Sequence, residues 1–187
     1  MNTITSIQKT LRASKGQSLI ELTMMFPLML SLLYGAIEVG SVISDYLTIT
    51  HTTREGADLT SRGTPPNTAL DAIIAAADPT IRSNNLGQWR VIYSRISQNP
   101  TSPCPPKPCV YRVESQIVRG NFAQNSQIGA VNQNISLPGT ADIDPGQIFH
   151  AIEVYYDYTP NVMTYVGSRI INKTFYERSI FTNVSNS

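Results

Sequence analysis

The chain has 187 residues, a length that allows one modest domain with appended segments. Charged residues make up 14% of it and the formal net charge is +1, so the sequence lacks the basic footprint of a nucleic-acid-binding protein. Nucleic acid is therefore not indicated as a partner.

The N-terminal end is basic and is followed by a long apolar stretch. Lys9, Arg12 and Lys15 precede the first acid, Glu21, and no charged residue occurs between residues 22 and 37. Basic residues beside an apolar span stay on the cytoplasmic side of a membrane. The sequence therefore predicts a cytoplasmic N terminus and an exported remainder.

Glu21 is costly in this position, because a carboxylate close to the hydrocarbon costs on the order of 2.5–3.5 kcal/mol. Cleavage after Gly16 would make Gln17 a free amino terminus and Glu21 the fifth residue of the mature chain, one helical turn away. The new amine would then supply the opposite charge that a carboxylate needs in apolar surroundings. Proteolysis at this glycine would thus explain the acid.

Three interpretations compete for residues 1–45. A secretory signal has an apolar stretch of roughly 7–15 residues before a small-residue cleavage site, whereas this stretch is longer and resumes after Glu38. A plain transmembrane anchor fits the length, because about 20 residues span a core of roughly 30 Å and Glu38 would lie near the outer interface. The anchor leaves Glu21 unexplained, however, while a cleaved, pilin-like start accounts for the basic leader, the glycine, the acid and the apolar helix together.

The helix is predicted to continue beyond the membrane and to end near Arg62. An apolar stripe at helical spacing follows the membrane segment and is formed by Val39, Val42, Ile43, Tyr46, Leu47 and Ile49. Residues 62–66 then give a basic last turn, a glycine stop and two prolines. Within the membrane segment Pro27 removes one backbone donor, so it predicts either a simple kink or a point where the helix loosens on assembly.

A second helix is predicted from Asn67 to about Arg82, with Asn67 as its cap and Pro79 as its stop signal. Two segments rich in β-branched and aromatic residues, Trp89–Ser97 and Val110–Val118, predict a β-hairpin.

The last part of the chain predicts two more strands. In residues 152–158 apolar and polar positions alternate, so one face of this strand is expected to be buried and the other wet. A final strand from Ile170 to about Val184 would complete an antiparallel sheet of roughly four strands.

The two cysteines lie in the loop of the predicted hairpin. Cys104 and Cys109 enclose four residues, three of them proline. The exported location favours a disulfide, which would stabilise the fold by about 2 kcal/mol for so short a ring. A zinc site is the weaker interpretation, because tetrahedral zinc needs four ligands and no histidine lies nearby. The sequence thus predicts a local bridge that pins a loop.

The segment from Asn121 to Gly146 is polar and rich in turn residues, and it predicts a loop with one short strand around Ile135. Asp142 and Asp144 could offer oxygens to calcium, but the fuller ligand pattern is missing and Asp-Pro-Gly forms a turn on its own. No metal site is therefore predicted.

Four spaced elements mark the N-terminal third: Gly16–Glu21, Pro27, Gly35–Gly40 and Arg54–Ala57. In combination they resemble the TadE-like family, the pseudopilins of tight-adherence (Flp-type) pilus systems. The resemblance covers about residues 14–62, and four elements at these spacings are far more specific than any one of them.

The resemblance implies a minor pilin or pseudopilin of a type IVc, Flp-type pilus that supports pilus biogenesis and surface adhesion. It implies cleavage between Gly16 and Gln17 by a prepilin peptidase, and a role for Glu21 in assembly. The helix-packing positions that it implies are Pro27, Glu38, Arg54 and Glu55. The expected partners are other pilin subunits, the prepilin peptidase, the inner-membrane assembly platform and the lipid bilayer.

The sequence shows no arrangement typical of an enzyme or a cofactor site. His51 and His150 are far apart in sequence, neither predicts a Cys-His or Ser-His-Asp arrangement, and no glycine-rich phosphate loop occurs. A packed or solvated histidine is the expectation at both positions.

The predicted organisation is a leader (residues 1–16), a transmembrane and assembly helix (17–63) and an exported α+β domain (64–187). In that domain one or two short helices would pack on the antiparallel sheet. The predicted location is the inner membrane, as a single-pass protein whose C-terminal domain is periplasmic, or the extracellular pilus after assembly. The alternative is a permanently anchored periplasmic or surface-binding domain with an uncleaved helix.

Overall fold

The computed structural model describes residues 3–82, 84–101, 109–135, 146–160 and 174–183, with side chains from residue 17 onward. Its elements in chain order are α1 (Thr3–Ser61), α2 (Pro66–Ile81), β1 (Trp89–Gln98), β2 (Tyr111–Arg119), β3 (Asn134–Ile135), β4 (Phe149–Asp157) and β5 (Thr174–Thr182). The predicted α+β class, with a long N-terminal helix before a small sheet, is confirmed.

The long helix α1 ends where the sequence predicted. Gly63 adopts a φ of 93°, a conformation that favours glycine. The Thr64 amide donates to the Leu59 carbonyl at 3.1 Å, which satisfies one of the last carbonyls of the helix. Pro27 lies inside α1, and the helix continues through it.

The ends of α2 differ in part from the prediction. Pro66 is the first helical residue, where its fixed φ favours the helix, and Pro65 precedes it without a side-chain cap. The side-chain oxygen of Asn67 instead accepts a hydrogen bond from Arg119 at 2.8 Å, so the prediction that Asn67 caps the helix is wrong. Pro79 lies in the last turn rather than at the stop, because the Arg82 amide still closes the helix onto the Asp78 carbonyl at 2.9 Å.

The strands form one antiparallel sheet in the order β3-β2-β1-β4-β5. β1 and β2 pair from Gln98 opposite Tyr111 to Val91 opposite Arg119, so the predicted hairpin is confirmed. The short strand expected around Ile135 is β3, which adds a fifth, two-residue strand at the edge.

The second half of α1 and the whole of α2 cover one face of the sheet. This burial removes a large apolar area from water, which is the main favourable contribution to folding. The buried apolar residues of this face are Ile49, Ala57, Leu70, Ile73, Ala77 and Ile81 from the helices and Trp89, Val91, Tyr93, Ile152, Val154, Tyr156 and Tyr158 from the strands.

The other face of the sheet is covered by residues 120–133, which we call the strap. The prediction that β4 has one wet face is wrong, because Glu153 is 0% exposed and Tyr155 2% exposed on the strap side. Buried carboxylates need hydrogen bonds, and Glu153 accepts them from the Ser126 hydroxyl, from the Gln127 amide at 2.9 Å and from the Tyr176 hydroxyl at 2.8 Å. The strap therefore buries the face of β4 that the sequence predicted to be exposed to water.

Candidate functional site

The first part of α1 carries apolar side chains that nothing in the described chain covers. We call residues 19–37 the bare segment; its exposed large hydrophobic side chains are 43–75% accessible. Nineteen helical residues span about 28 Å, close to the roughly 30 Å of a bilayer core. By length and composition the helix can cross a membrane, which is compatible with a single-pass membrane protein.

Glu21 and Gln17 lie on the same face of α1, one turn apart. The side-chain amide of Gln17 donates to Glu21 at 3.3 Å, and both side chains are exposed. The bond between Gly16 and Gln17 lies within the helical part of the chain. A terminal amine on Gln17 would therefore lie about one helical turn, roughly 6 Å along the axis, from Glu21.

Glu38 marks the point where α1 changes surroundings. It is 2% exposed, and the Tyr158 hydroxyl donates a hydrogen bond to its carboxylate. We call residues 38–61 the packed segment of α1. Two turns further on, burial raises the pKa of Asp45, although the Thr80 hydroxyl that donates to it at 3.3 Å acts in the opposite direction. Glu38 thus lies at the junction between the helix and the sheet, in contact with the sheet rather than exposed.

Gly56 lies where α1 and α2 pack closely against each other. A Cβ atom at this position would lie 2.0 Å from Cδ1 of Ile73 on α2, which is far inside van der Waals contact. Its neighbour Ala57 is 0% exposed. The packing positions predicted in this motif were Arg54 and Glu55, not Gly56, although a glycine inside a helical pattern is a recognised signal of close approach.

Arg54 and Glu55 lie on the surface of α1, and Glu55 borders the groove between α1 and α2 beside Ile73. Both are exposed, and among the described residues neither makes a hydrogen bond or an ion pair. The packing role expected of these two side chains is not tested by these contacts and stays a prediction about contacts with other subunits. Pro27 is likewise exposed within the bare segment.

The remaining sequence predictions fall on loops and histidines. Cys109 is buried, but Cys104 lies outside the described residues, so the local bridge stays a prediction. Asp142 and Asp144 also lie outside them. Within the described part of the chain, no group of three or more His, Cys, Asp or Glu residues could hold a metal ion. His51 is exposed on α1, and His150 is half-buried in β4.

The comparison with protein families gives one match, to the model described as TadE-like protein, over residues 16–58. This confirms the resemblance read from the sequence: α1, from the glycine before Gln17 to just beyond Ala57, is a TadE-like segment. The TadE-like family is pilus-associated and structural rather than catalytic. Neither the search of curated proteins nor the search of solved structures gives a match.

Proposed function

We propose that the protein is a minor pilin or pseudopilin of a tight-adherence, Flp-type pilus. The observation that carries this proposal is the change of surroundings along one helix inside the matched segment. Residues 19–37 present apolar side chains on most sides, whereas from Glu38 onward one side of the helix packs on the sheet and its other side, with Val39, Ile43 and Leu47, stays exposed. A helix of this kind can lie in the membrane before assembly and among other helices after it.

Assembly in this proposal exchanges lipid for neighbouring helices around the bare segment. The exposed side chains already avoid water in the bilayer, so the exchange needs no refolding of the exported domain. The Glu21 carboxylate needs a positive partner in an apolar environment, and the amine of a cleaved Gln17 on an adjacent subunit supplies it. Within one chain Gln17 and Glu21 are in contact at 3.3 Å, so both residues lie on the same face of α1. The proposal is supported because a neighbouring helix that meets this face would meet both groups.

The other partners in the proposal follow from the same segment. The prepilin peptidase would cut between Gly16 and Gln17, and the inner-membrane assembly platform would extract the subunit from the bilayer. Arg54 and Glu55 would meet a neighbouring subunit above the membrane, since their side chains are exposed. The exported domain would be periplasmic before assembly and extracellular afterwards.

The decisive experiment is an intact-mass measurement of the protein extracted from the membranes of cells that express the whole pilus system. The expected mass is that of a chain beginning at Gln17, with the two-hydrogen deficit of a Cys104–Cys109 bridge. A chain that retains Met1 and residues 2–16 would contradict the pilin proposal and support a permanently anchored domain.

A second experiment tests Glu21 itself. Glu21→Ala should abolish incorporation into sheared pili while the protein remains in the membrane fraction, because the uncompensated amine is disfavoured in the assembled core. Glu177→Ala, which removes an acid on β5, is the matched control and should incorporate normally. Normal incorporation of Glu21→Ala would refute the proposed role of this carboxylate.

A further inference from the structure

A cavity of about 300 Å³ opens between the α1–α2 turn and the helix-covered face of the sheet. The turn contributes Thr60, Thr64 and Pro66 to its walls, and the sheet contributes Tyr93, Arg95 and His150. The cavity lies at the end of α1, about 35 Å along the helix from Glu38. If the bare segment spans the membrane as proposed, lipid headgroups are too far away to reach it.

Arg95 is the only charged residue among the described residues that line this cavity. Its Nε atom lies 3.2 Å from Glu114, as an ion pair without hydrogen-bond geometry. Both side chains are 41% exposed, so water screens this pair and it is weak. The two terminal nitrogens of the guanidinium make no hydrogen bond to a described residue and remain available as a planar pair of donors.

The floor beside Arg95 is neutral. The Tyr93 hydroxyl lies 2.8 Å from Nδ1 of His150. Burial lowers the pKa of His150, the charge of Arg95 acts in the same direction, and the Asn183 side chain opposes them. Burial also raises the pKa of Tyr93. At neutral pH the floor therefore carries a neutral imidazole and a protonated phenol, which leaves Arg95 as the charge that a ligand meets.

We infer that this cavity binds a carboxylate group through Arg95. Guanidinium and carboxylate match in a planar, two-bond geometry, and such charge-assisted pairs are the strong hydrogen bonds of proteins. A phosphate dianion fits less well, because the cavity offers one cation and Glu114 stands beside it. The volume is at the low end for ligand sites, enough for a small organic acid or for one acidic side chain of another protein.

The test uses the full chain in detergent micelles with isotopically labelled histidine. The chain has two histidines, so His51 on the exposed surface of α1 is an internal reference for His150. The probes are sodium succinate and a short peptide with one glutamate, acetylated and amidated at its ends; their uncharged controls are succinamide and the same blocked peptide with glutamine. The inference expects a saturable shift of the His150 signals with a carboxylate probe and none with the amides.

Variants then assign the effect to the guanidinium. Arg95→Gln should weaken binding by about tenfold or more, and Arg95→Lys, which keeps the charge but not the planar fork, should fall between the two. Arg178→Gln, an exposed arginine on β5, is the matched control and should bind as the parent does. Trp89 fluorescence verifies that each variant is folded. The amide controls test the inference on the parent protein, so it remains testable even if a variant does not fold.

The outcomes separate two sources of the carboxylate. Binding of succinate assigns the cavity to small acids, and binding of the glutamate peptide alone assigns it to an acidic residue of a partner protein. No saturable shift of His150, equal shifts with the amides, or unchanged affinity in Arg95→Gln would overturn the inference. The result is independent of cleavage after Gly16, so it does not stand or fall with the pilin proposal.

Discussion

The bare and packed segments of α1 belong to one uninterrupted helix and yet face different surroundings. In residues 19–37 apolar side chains point outward on most sides, whereas in residues 38–61 Ile49 and Ala57 point onto the sheet with 1% and 0% exposure. Hydrophobicity alone says that a side chain avoids water. The two segments differ in how apolar side chains are distributed around the helix: a one-sided stripe packs on the sheet, whereas exposed apolar side chains on most sides are compatible with a membrane-spanning helix.

Polar threonine side chains are buried in the packed segment, so polarity alone does not separate it from the bare segment. Thr53 and Thr60 are polar, yet both are buried in the packed segment. The Thr53 hydroxyl donates to the Ile49 carbonyl at 2.6 Å, and the Thr60 hydroxyl donates to the Ala57 carbonyl at 2.9 Å. Such local bonds satisfy the hydroxyl within its own helix, so the side chain can enter an apolar contact without a partner from the sheet.

The largest expected difference between the segments comes from removing a buried methyl-rich side chain. Ile49→Ala should lower the free energy of unfolding of the domain formed by the sheet and its helices by about 2–5 kcal/mol, because it leaves a cavity against the sheet. Leu33→Ala, which truncates a side chain that is 55% exposed, should change it by less than about 0.5 kcal/mol. Urea unfolding in micelles, followed by the fluorescence of the buried Trp89, measures both. Equal losses would show that the bare segment also supports the domain.

The second prediction adds volume instead of removing it, at one glycine in each segment of α1. Gly56→Val should destabilise the domain by about 1–3 kcal/mol, because the new side chain meets Ile73 and can be accommodated only if Ile73 changes its rotamer or α2 shifts. Gly35→Val is the control, since nothing lies within 4 Å of a Cβ atom there. The same unfolding measurement applies. If Gly56→Val were as stable as the parent, the close contact between α1 and α2 would not be tight in solution.

Removing a single hydroxyl group should weaken the contact between α1 and the sheet at Glu38. Tyr158→Phe removes the hydroxyl that donates to Glu38 and leaves that buried carboxylate with one donor fewer, which should cost about 1–3 kcal/mol. Tyr34→Phe makes the same chemical change at a side chain that is 43% exposed in the bare segment and should be neutral. A neutral Tyr158→Phe would mean that Glu38 does not depend on this bond.

The smallest effect is a pH dependence at the same junction. Burial, and then the hydrogen bond and charge of Glu38, raise the pKa of Tyr158 above its ordinary value of 10.0. The folded state therefore holds this proton more tightly than the unfolded state, so the contribution is fully present below pH 10.0 and is lost as the pH rises above it. Unfolding measured from pH 9 to about pH 12 should show a shallower decline in Tyr158→Phe than in the parent; identical slopes would contradict the assignment.

Local signals in the sequence were enough for most of the fold. The end of α1, the hairpin of β1 and β2 and the short strand at Ile135 follow from glycine, proline and β-branched residues that act within a few positions. The wet face predicted for β4 failed because Glu153 is buried by the strap, whose Ser126 is distant in sequence. The alternation of residues along a strand shows which positions are polar. Only the tertiary structure shows that hydrogen bonds from other segments satisfy the Glu153 carboxylate and allow its burial.

The candidate site was predictable in part. The matched segment and the length of the apolar stretch were readable from the sequence, because membrane thickness sets a length that residues can be counted against, whereas the role of Glu21 stays a prediction. The Glu38–Tyr158 contact was not, since it joins residues 120 positions apart. The cavity at Arg95 was not predictable either, because it forms where a turn between helices crosses a strand from elsewhere in the chain.

The continuity of α1 fixes the direction in which the sheet projects from the helix axis. Each helical residue advances the chain by about 100° around the axis, and α1 has no break between Glu21 and Glu38. The direction in which the sheet projects is therefore tied, through the number of intervening residues, to the direction in which Glu21 points. Adding a single residue to the bare segment would rotate the sheet by more than a quarter of a circle relative to that carboxylate, so helical phase as well as length constrains this stretch.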